Sequence, residues 1–286
     1  MRVIHEPGQR PRIVKWVFET LDRGQSIDKA LGSVARAFDL KRGRCTTVLG
    51  ETDYQLLLTE APDVKPDELK TALRWRVKDL IDFHINDAAL DAFELPSDST
   101  GGKTREMYAV AARNAAIQER ADRLTAAGIN LDIIDIPELA QRNLAALLPQ
   151  DANGVALLSM QAGSGLITIT RQASLYLSRA LNVGFDTLRG AADPVAYFDH
   201  IVLEVQRSLD YYESHFREAP LRQLVLAPFA EEVPGFMEHL SANLGLTVSR
   251  MDLTTLVDSD SNLPPDIQAR CLATLGAALR QEAKAL

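Results

Sequence analysis

The sequence contains little cysteine, and its histidines are scattered. Among 286 residues there are two cysteines, Cys45 and Cys271, which lie far apart and outside any CxxC arrangement. This spacing argues against a disulfide framework and against a zinc cluster, so we predict two reduced thiols in a cytosolic protein. No two histidines have the i, i+4 spacing of a helical metal site, and we predict no metal centre. The histidines are His5, His84, His200, His215 and His239.

No segment has the length and hydrophobicity of a membrane span. The sequence lacks a run of about 18 apolar residues, and its first residues, MRVIHEPGQRPR, do not contain the apolar core of a signal peptide. We therefore expect a soluble chain that reaches a membrane only through a partner.

The chain also lacks an excess of positive charge. It has 31 Lys and Arg residues against 39 Asp and Glu residues, which gives a formal net charge of −8. Nucleic acid binding requires a basic face, because the phosphate backbone dominates the interaction. The acidic balance favours other proteins or small ligands as partners.

Strand and helix patterns alternate over the whole length of the chain, of which 46% is hydrophobic. This alternation is typical of an α/β protein, here with two lobes built on mixed sheets. The polar segment 149–154 is the best candidate for a domain boundary, and 96–103 is predicted to be a hairpin loop. Segments 44–49 and 54–60 are predicted to pair as strands around the turn at 50–53. Further predictions are a helix that starts at residues 66–68, three consecutive strands at 155–158, 166–170 and 175–180, and a long helix at 194–216.

The segment SMQAGSGLITI, residues 159–169, has the form of a phosphate-binding turn without its charged residues. It contains neither GxxxxGK[ST] nor GxGxxG, since Gly163 and Gly165 are followed by Leu166, Ile167 and Thr168, and Thr168 stands where the third glycine is required. Ser164 is also not in a nucleophile elbow, because Ala162 stands two residues before it instead of glycine. A plain hairpin turn is the favoured interpretation, and a ligand loop is the alternative.

Polar residues interrupt the apolar pattern of the helix VLEVQRSLDYY, residues 202–212. Packing explains the apolar positions, but it does not require Glu204, Arg207 or Ser208. Two explanations stay open, which are pairing of Glu204 with Arg207 or Ser208 inside the helix and a role in function. No carboxylate can be nominated as a general acid or base, and we assign no catalytic residue.

Three segments together resemble the PilM family of type IV pilus assembly proteins, and within it the MshI branch that serves mannose-sensitive haemagglutinin (MSHA) pili. They are ELKTALRWRVKDLIDF at 68–83, AAGINLDIIDIPELAQRNL at 126–144 and LEVQRSLDYYES at 203–214. The resemblance implies a bilobed actin-like fold of the FtsA type. It places the first lobe at residues 1–150, interrupted by an inserted α+β subdomain at about 46–128, and the second lobe at 151–286.

The resemblance also implies where a nucleotide would bind, and this sequence departs from that pattern. In the second phosphate hairpin, Ser159 stands where the family has aspartate, Gln161 where it has glycine, and Gly165 where it has threonine. At the adenosine turn, Pro228 and Phe229 replace glycines. These departures predict a chain that is not an enzyme and has no cofactor. If a nucleotide binds at all, the residues that correspond to its site are Ser159, Gln161, Gly163, Gly165, Glu204 and Arg207.

The function that the resemblance implies is a cytoplasmic, non-catalytic scaffold of pilus assembly. Relatives bind a short cytoplasmic peptide of an inner-membrane protein of the PilN or MshJ kind, in a groove between the first lobe and the insertion. Here the groove would lie near Leu69, Leu73, Arg74 and Trp75, and the rival interpretation is that Trp75 is buried in the core. Nearby Arg76 and Lys78 add positive charge that suits a membrane-proximal face.

Two other functions stay open at this stage. One is an actin-like ATPase that binds ATP and Mg²⁺ in the cleft between the lobes. The other is the cytoplasmic domain of a GspL-like secretion protein, which shares the fold and normally continues into a transmembrane helix.

Overall fold

The computed structural model describes residues 1–6, 8–21, 24–38, 44–65, 67–96 and 105–281. The strands are β1 Arg2–Ile4, β2 Arg12–Lys15, β3 Thr46–Val48, β4 Tyr54–Glu60, β5 Ala88–Glu94, β6 Glu106–Arg113, β7 Ile133–Asp135, β8 Val155–Met160, β9 Gly165–Arg171, β10 Ser174–Leu181, β11 Gln223–Leu226, β12 Thr247–Arg250 and β13 Asp258–Ser259. The α-helices are α1 Ile27–Ala37, α2 Leu69–Val77, α3 Asn114–Ala126, α4 Pro137–Ala145, α5 Phe185–Gly190, α6 Val195–Phe216, α7 Phe236–Leu244, α8 Leu253–Leu256 and α9 Pro265–Ala278, and short 3₁₀ helices span Ile85–Asp87 and Pro149–Asn153.

The chain divides into two compact units. The large unit comprises Met1–Trp16 and Glu138–Leu279, and the small unit comprises Val17–Pro137 with Arg280–Leu286. These limits differ from the predicted lobes at 1–150 and 151–286, and the insertion at about 46–128 stays a prediction.

The large unit is built on a five-stranded mixed sheet in the order β10-β9-β8-β11-β12. The three consecutive strands predicted at 155–180 are present, and β8, β9 and β10 pair antiparallel, whereas β11 pairs parallel to both β8 and β12. Both faces of β8 are buried, with Leu158 in the core beneath α6 and α7 and Leu157 in the core beneath α4, α8 and α9. A strand covered on both sides explains the continuous apolar run VALL in the sequence.

The small unit is built on an antiparallel sheet in the order β4-β6-β5 and a parallel pair, β3 with β7. The predicted pairing of segments 44–49 and 54–60 is wrong, because β3 pairs with β7 and β4 pairs with β6. Asp53 accepts hydrogen bonds from the backbone N–H of Gly50 and from Arg120, at 3.1 and 2.7 Å. The turn is therefore present, but it carries the chain from one sheet to another instead of closing a hairpin.

Two further sequence predictions concern residues near β5 and α2. The helix predicted to start at residues 66–68 begins at Leu69, and Pro66 lies outside the described residues. Strands β5 and β6 pair antiparallel, and residues 97–103 of the predicted hairpin loop also lie outside the described residues.

The two cysteines belong to different environments, and neither favours a reactive thiolate. Burial raises the pKa of the Cys271 thiol to about 11, and burial followed by the nearby Asp132 charge raises the pKa of Cys45. The thiolate is the nucleophile and metal ligand, so both groups have little of either character at neutral pH.

The turn between β9 and β10 places two ordinary residues in left-handed backbone conformations. Gln172 has a φ of 51° and Ala173 a φ of 61°. Buried Asp151 stabilises the turn, since its side chain accepts hydrogen bonds from the backbone N–H of Ala173 at 2.6 Å and from Thr170 Oγ1 at 2.7 Å. Such conformations favour Asn and Gly, which the sequence does not provide here.

We expect the double substitution Gln172→Asn/Ala173→Gly to raise the melting temperature. The strain relieved is about 1 kcal/mol, because Asn-Gly is the preferred pair for this turn. Thermal unfolding followed by circular dichroism measures the shift. Ala180→Gly, at an exposed position of β10, is the matched control and should lower the melting temperature. Equal shifts in both variants would contradict the turn argument.

Candidate functional site

Ser159, at the end of β8, is the position where the family pattern has aspartate. Its side chain is 5% exposed, and its hydroxyl donates a hydrogen bond to Gln141 Oε1 at 2.7 Å. Gln141 lies on α4 and is itself 3% exposed. The hydroxyl is thus occupied inside the core and carries no charge for a metal ion or its water shell.

The orientation of the Gln141 amide is fixed by its nitrogen. Nε2 lies 2.8 Å from the carbonyl oxygen of Leu157, 3.3 Å from that of Leu166 and 3.0 Å from Thr168 Oγ1. These acceptors keep Oε1 directed at Ser159. Gln141 was not among the predicted residues, although a glutamine within the apolar stripe of α4 is a signal that could have indicated it.

The turn after β8 is closed by the beginning of α5. The backbone N–H of Phe185 donates to Gln161 O at 2.6 Å, and that of Asp186 donates to Ala162 O at 3.0 Å. Helix N-terminal N–H groups are the usual donors to a phosphate, and here these two are paired with the chain itself. Within the turn, Gln161 N donates to Ser164 O at 2.8 Å.

Glycines in and beside this turn serve close packing. A Cβ on Gly165 would lie 2.9 Å from Met160 Sδ and 3.2 Å from Leu181 Cδ1. A Cβ on Gly184 would lie 2.3 Å from the backbone of Gly163. Gly163 itself has open space around a Cβ, so packing does not require glycine there.

Phe229, at the position of the adenosine turn, fills space that glycine would leave open. It is 8% exposed, and its ring centroid lies 6.3 Å from that of Phe185 and 6.0 Å from that of Phe236. The Arg250 guanidinium lies 5.6 Å from the Phe229 centroid. The aromatic ring therefore occupies a packed cluster of side chains instead of lining a cavity for a base.

Glu204 and Arg207 are brought together on α6, and Arg179 of β10 joins them. Arg207 Nη1 donates to Glu204 Oε1 at 2.6 Å, and Arg179 Nη1 donates to Glu204 Oε2 at 3.0 Å. Burial alone would raise the pKa of Glu204, but the two arginine hydrogen bonds outweigh it and leave that pKa lowered. The intrahelical pairing considered from the sequence is therefore present, and Ser208 Oγ donates to the Glu204 carbonyl at 2.7 Å.

The four predicted partner-binding residues on α2 do not share one surface. Leu73 is 2% exposed and packs with Leu69 against the sheet, and Arg74 donates to the carbonyls of Ile85 and Ala88. Trp75 is 68% exposed, with Lys78 Nζ 5.0 Å from its ring. The interpretation that Trp75 is buried is wrong. Trp75 follows the buried Leu73 by two positions, and on a helix this spacing directs the two side chains to opposite faces.

The described residues hold neither a metal cluster nor a membrane-spanning helix. These residues contain no group of three or more His, Cys, Asp or Glu side chains that could hold a metal ion. No helix among them is long and apolar enough to cross a membrane.

Comparison with known families bears on the sequence resemblance. Residues 58–190 match the family model described as type IV pilus assembly protein PilM. The resemblance to the PilM family is confirmed. No curated protein matches the chain.

Comparison with solved structures shows the fold. A chain of the "PilM-PilN type IV pilus biogenesis complex" matches with a TM-score of 0.74 at 19% identity, covering 97% of this chain and 93% of that one. The predicted fold class, the actin-like fold of PilM, is confirmed.

Two weaker matches have TM-scores of 0.47. The cytoplasmic domain of EpsL, an inner-membrane component of the type II secretion system of Vibrio cholerae, is 13% identical, with 89% of this chain and 82% of that chain covered. A Bacteroides thetaiotaomicron protein with an actin-like ATPase fold is 9% identical, with 89% and 83% covered.

Proposed function

We propose that this PilM-like chain is a non-catalytic scaffold of type IV pilus assembly. It would dock the cytoplasmic peptide of an inner-membrane protein of the PilN or MshJ kind, and so sit at the inner membrane through that partner. The PilM family match over residues 58–190 supports this assignment, as does the fold shared with a chain of a PilM-PilN complex. The MshI-like identity of the pilus is part of the proposal and rests on the sequence resemblance.

The observation that carries the non-catalytic part is the pairing of Ser159 with Gln141. Hydrolysis of a nucleotide with Mg²⁺ needs a carboxylate that holds the ion through its bound waters. The hairpin after β8 offers instead the neutral hydroxyl of Ser159, which already donates to Gln141 at 2.7 Å. Two further observations support the same conclusion. The Phe229 ring fills the space that a glycine would leave for a base, and the N–H groups of Phe185 and Asp186 at the start of α5 already donate to backbone carbonyls of the turn.

Calorimetric titration of the full chain with ATP and Mg²⁺ tests the non-catalytic part. We expect no binding at micromolar nucleotide and no phosphate release, because the contacts that offset phosphate repulsion are missing. ADP with Mg²⁺ serves as the second ligand, which separates loss of γ-phosphate contacts from loss of the whole site. Micromolar ATP binding with turnover would support the actin-like ATPase instead.

Pull-down and membrane fractionation test the docking part. The chain should be retained by the cytoplasmic tail of its inner-membrane pilus partner, and it should sediment with membranes only in cells that contain that partner. Sedimentation that is unchanged when the partner is deleted would overturn docking through this protein.

A further inference from the structure

Helix α6 presents a solvent-facing stripe that the core does not need. Five residues recur at positions i, i+4, i+8, i+11 and i+15, which places them on one side of the helix. They are Val195, Asp199, Leu203, Gln206 and Asp210. All are exposed, and the two apolar members, Val195 and Leu203, are 45% and 43% exposed. We call this set the α6 stripe.

Helix α7 borders the α6 stripe and holds it in place. His239 Nε2 lies 2.7 Å from Asp199 Oδ1, and Gln206 Nε2 donates to the Asn243 carbonyl at 3.2 Å. Because the successive contacts advance along both helices in the same sense, α6 and α7 run parallel here. A surface braced in this way loses little conformational freedom when a partner binds.

The net charge of this surface is negative. Helix α6 carries four acidic residues, Asp199, Glu204, Asp210 and Glu213, and one arginine, Arg207. Arg207 is engaged by Glu204 at 2.6 Å, and α7 adds Glu238 and no Lys or Arg. Asp199 is paired with His239, and Glu204 is paired with Arg179 and Arg207, but acidic side chains still outnumber Lys and Arg on these two helices. Exposed apolar side chains on a surface of net negative charge favour a partner with apolar and basic side chains.

We propose that the α6 stripe docks a basic amphipathic helix of a partner protein. The stripe is about 22 Å long, and Val195 and Leu203 are about 12 Å apart, which is about two helical turns. The partner helix would present apolar residues two turns apart, with Lys or Arg between them to face Asp199 and beyond them to face Asp210. Anionic lipid and nucleic acid are disfavoured by the same acids. The proposal does not depend on the proposed function, because the stripe belongs to the large unit and Trp75 to the small unit.

The test uses the full chain and a synthetic probe, an 18-residue helical peptide of leucine and lysine with one apolar face, labelled for fluorescence anisotropy. A leucine and glutamate peptide of the same pattern is the charge control and should not bind. In Leu203→Ser/Asp210→Asn, the affinity for the lysine peptide should fall about tenfold or more, because a leucine side chain and a facing charge are both removed. Leu80→Ser/Asp79→Asn removes the same residue types from another exposed site and should change the affinity less than about twofold.

Hydrogen exchange locates the bound peptide and adds a second reading. Protection should appear on α6 and α7, and it should be lost in Leu203→Ser/Asp210→Asn. The proposal is overturned if both double variants weaken binding equally, if protection maps elsewhere, or if the lysine peptide does not bind. It is also overturned if the full chain self-associates in sedimentation experiments and Leu203→Ser abolishes this, since a second copy would then be the occupant.

Discussion

Replacement of Gly276 by alanine should lower the melting temperature of the protein by about 10 °C or prevent folding. A Cβ at this position would lie 2.1 Å from the carbonyl oxygen and 2.6 Å from the carbonyl carbon of Ala140. The obstacle is backbone of α4, so α9 has to move away and the core between the helices is disrupted. Overpacking of this kind costs about 3 kcal/mol, and each kcal/mol corresponds to about 2–4 °C in a domain of this size.

Gly190→Ala is the control for this prediction, since Gly190 lies in α5 and has nothing within 4 Å of the added Cβ. Thermal unfolding of both variants by calorimetry gives the comparison. A close approach of α9 to α4 is also indicated by Asn143 Nδ2, which donates to the Gly276 carbonyl at 2.9 Å. A Gly276→Ala protein as stable as Gly190→Ala would show that the two helices are not so closely packed.

Replacement of Trp75 by alanine should reduce the affinity for the partner peptide by about 30-fold or more without changing stability. A tryptophan exposed to 68% in a folded chain is unusual, and interface tryptophans typically contribute 2 kcal/mol or more. Since Leu73 and Arg74 are engaged inside the small unit and Leu69 is partly buried, Trp75 is the most exposed member of the predicted set. The measurement is a fluorescence titration with the cytoplasmic peptide of the PilN-type protein.

Leu80→Ala provides the matched control, because Leu80 is 54% exposed and lies just beyond α2. The affinity of the Leu80→Ala variant for the peptide should stay within about twofold of that of the unsubstituted chain. Binding should also shift the emission of Trp75, one of two tryptophans in the chain, to shorter wavelength. Full affinity in Trp75→Ala would place the peptide site elsewhere on the protein, and retained pilus assembly in that variant would agree with such a site.

Local patterns predicted those parts of the fold whose pairing is local. The strands β8, β9 and β10 follow one another through short turns, and α6 has a continuous buried apolar face. The sequence was therefore sufficient to predict the three strands and the helix. The pairing of β3 with β7 could not be predicted in this way, because 85 residues separate Val48 from Ile133 and the turn at 50–53 favoured a nearer partner.

The candidate site shows a similar division. The absence of aspartate at residue 159 was visible in the sequence, and so was a glutamine within the apolar stripe of α4. The hydrogen bond that joins Ser159 to Gln141 was not, because a side-chain contact between α4 and β8 has no local pattern. Exposure of Trp75 could have been derived from its spacing to Leu73, since both cannot face the same core.

The amide of Gln141 has a consequence for whether residue 159 can become an aspartate by a single mutation. Ser159→Asp alone would set a carboxylate oxygen against Gln141 Oε1, whose orientation is held by the three acceptors around Nε2. A buried, unpaired charge of this kind is strongly destabilising, so Ser159→Asp alone should lower the stability of the protein. Because Gln141 accepts the Ser159 hydroxyl, an aspartate at residue 159 is tolerated only when residue 141 changes with it to a hydrogen-bond donor.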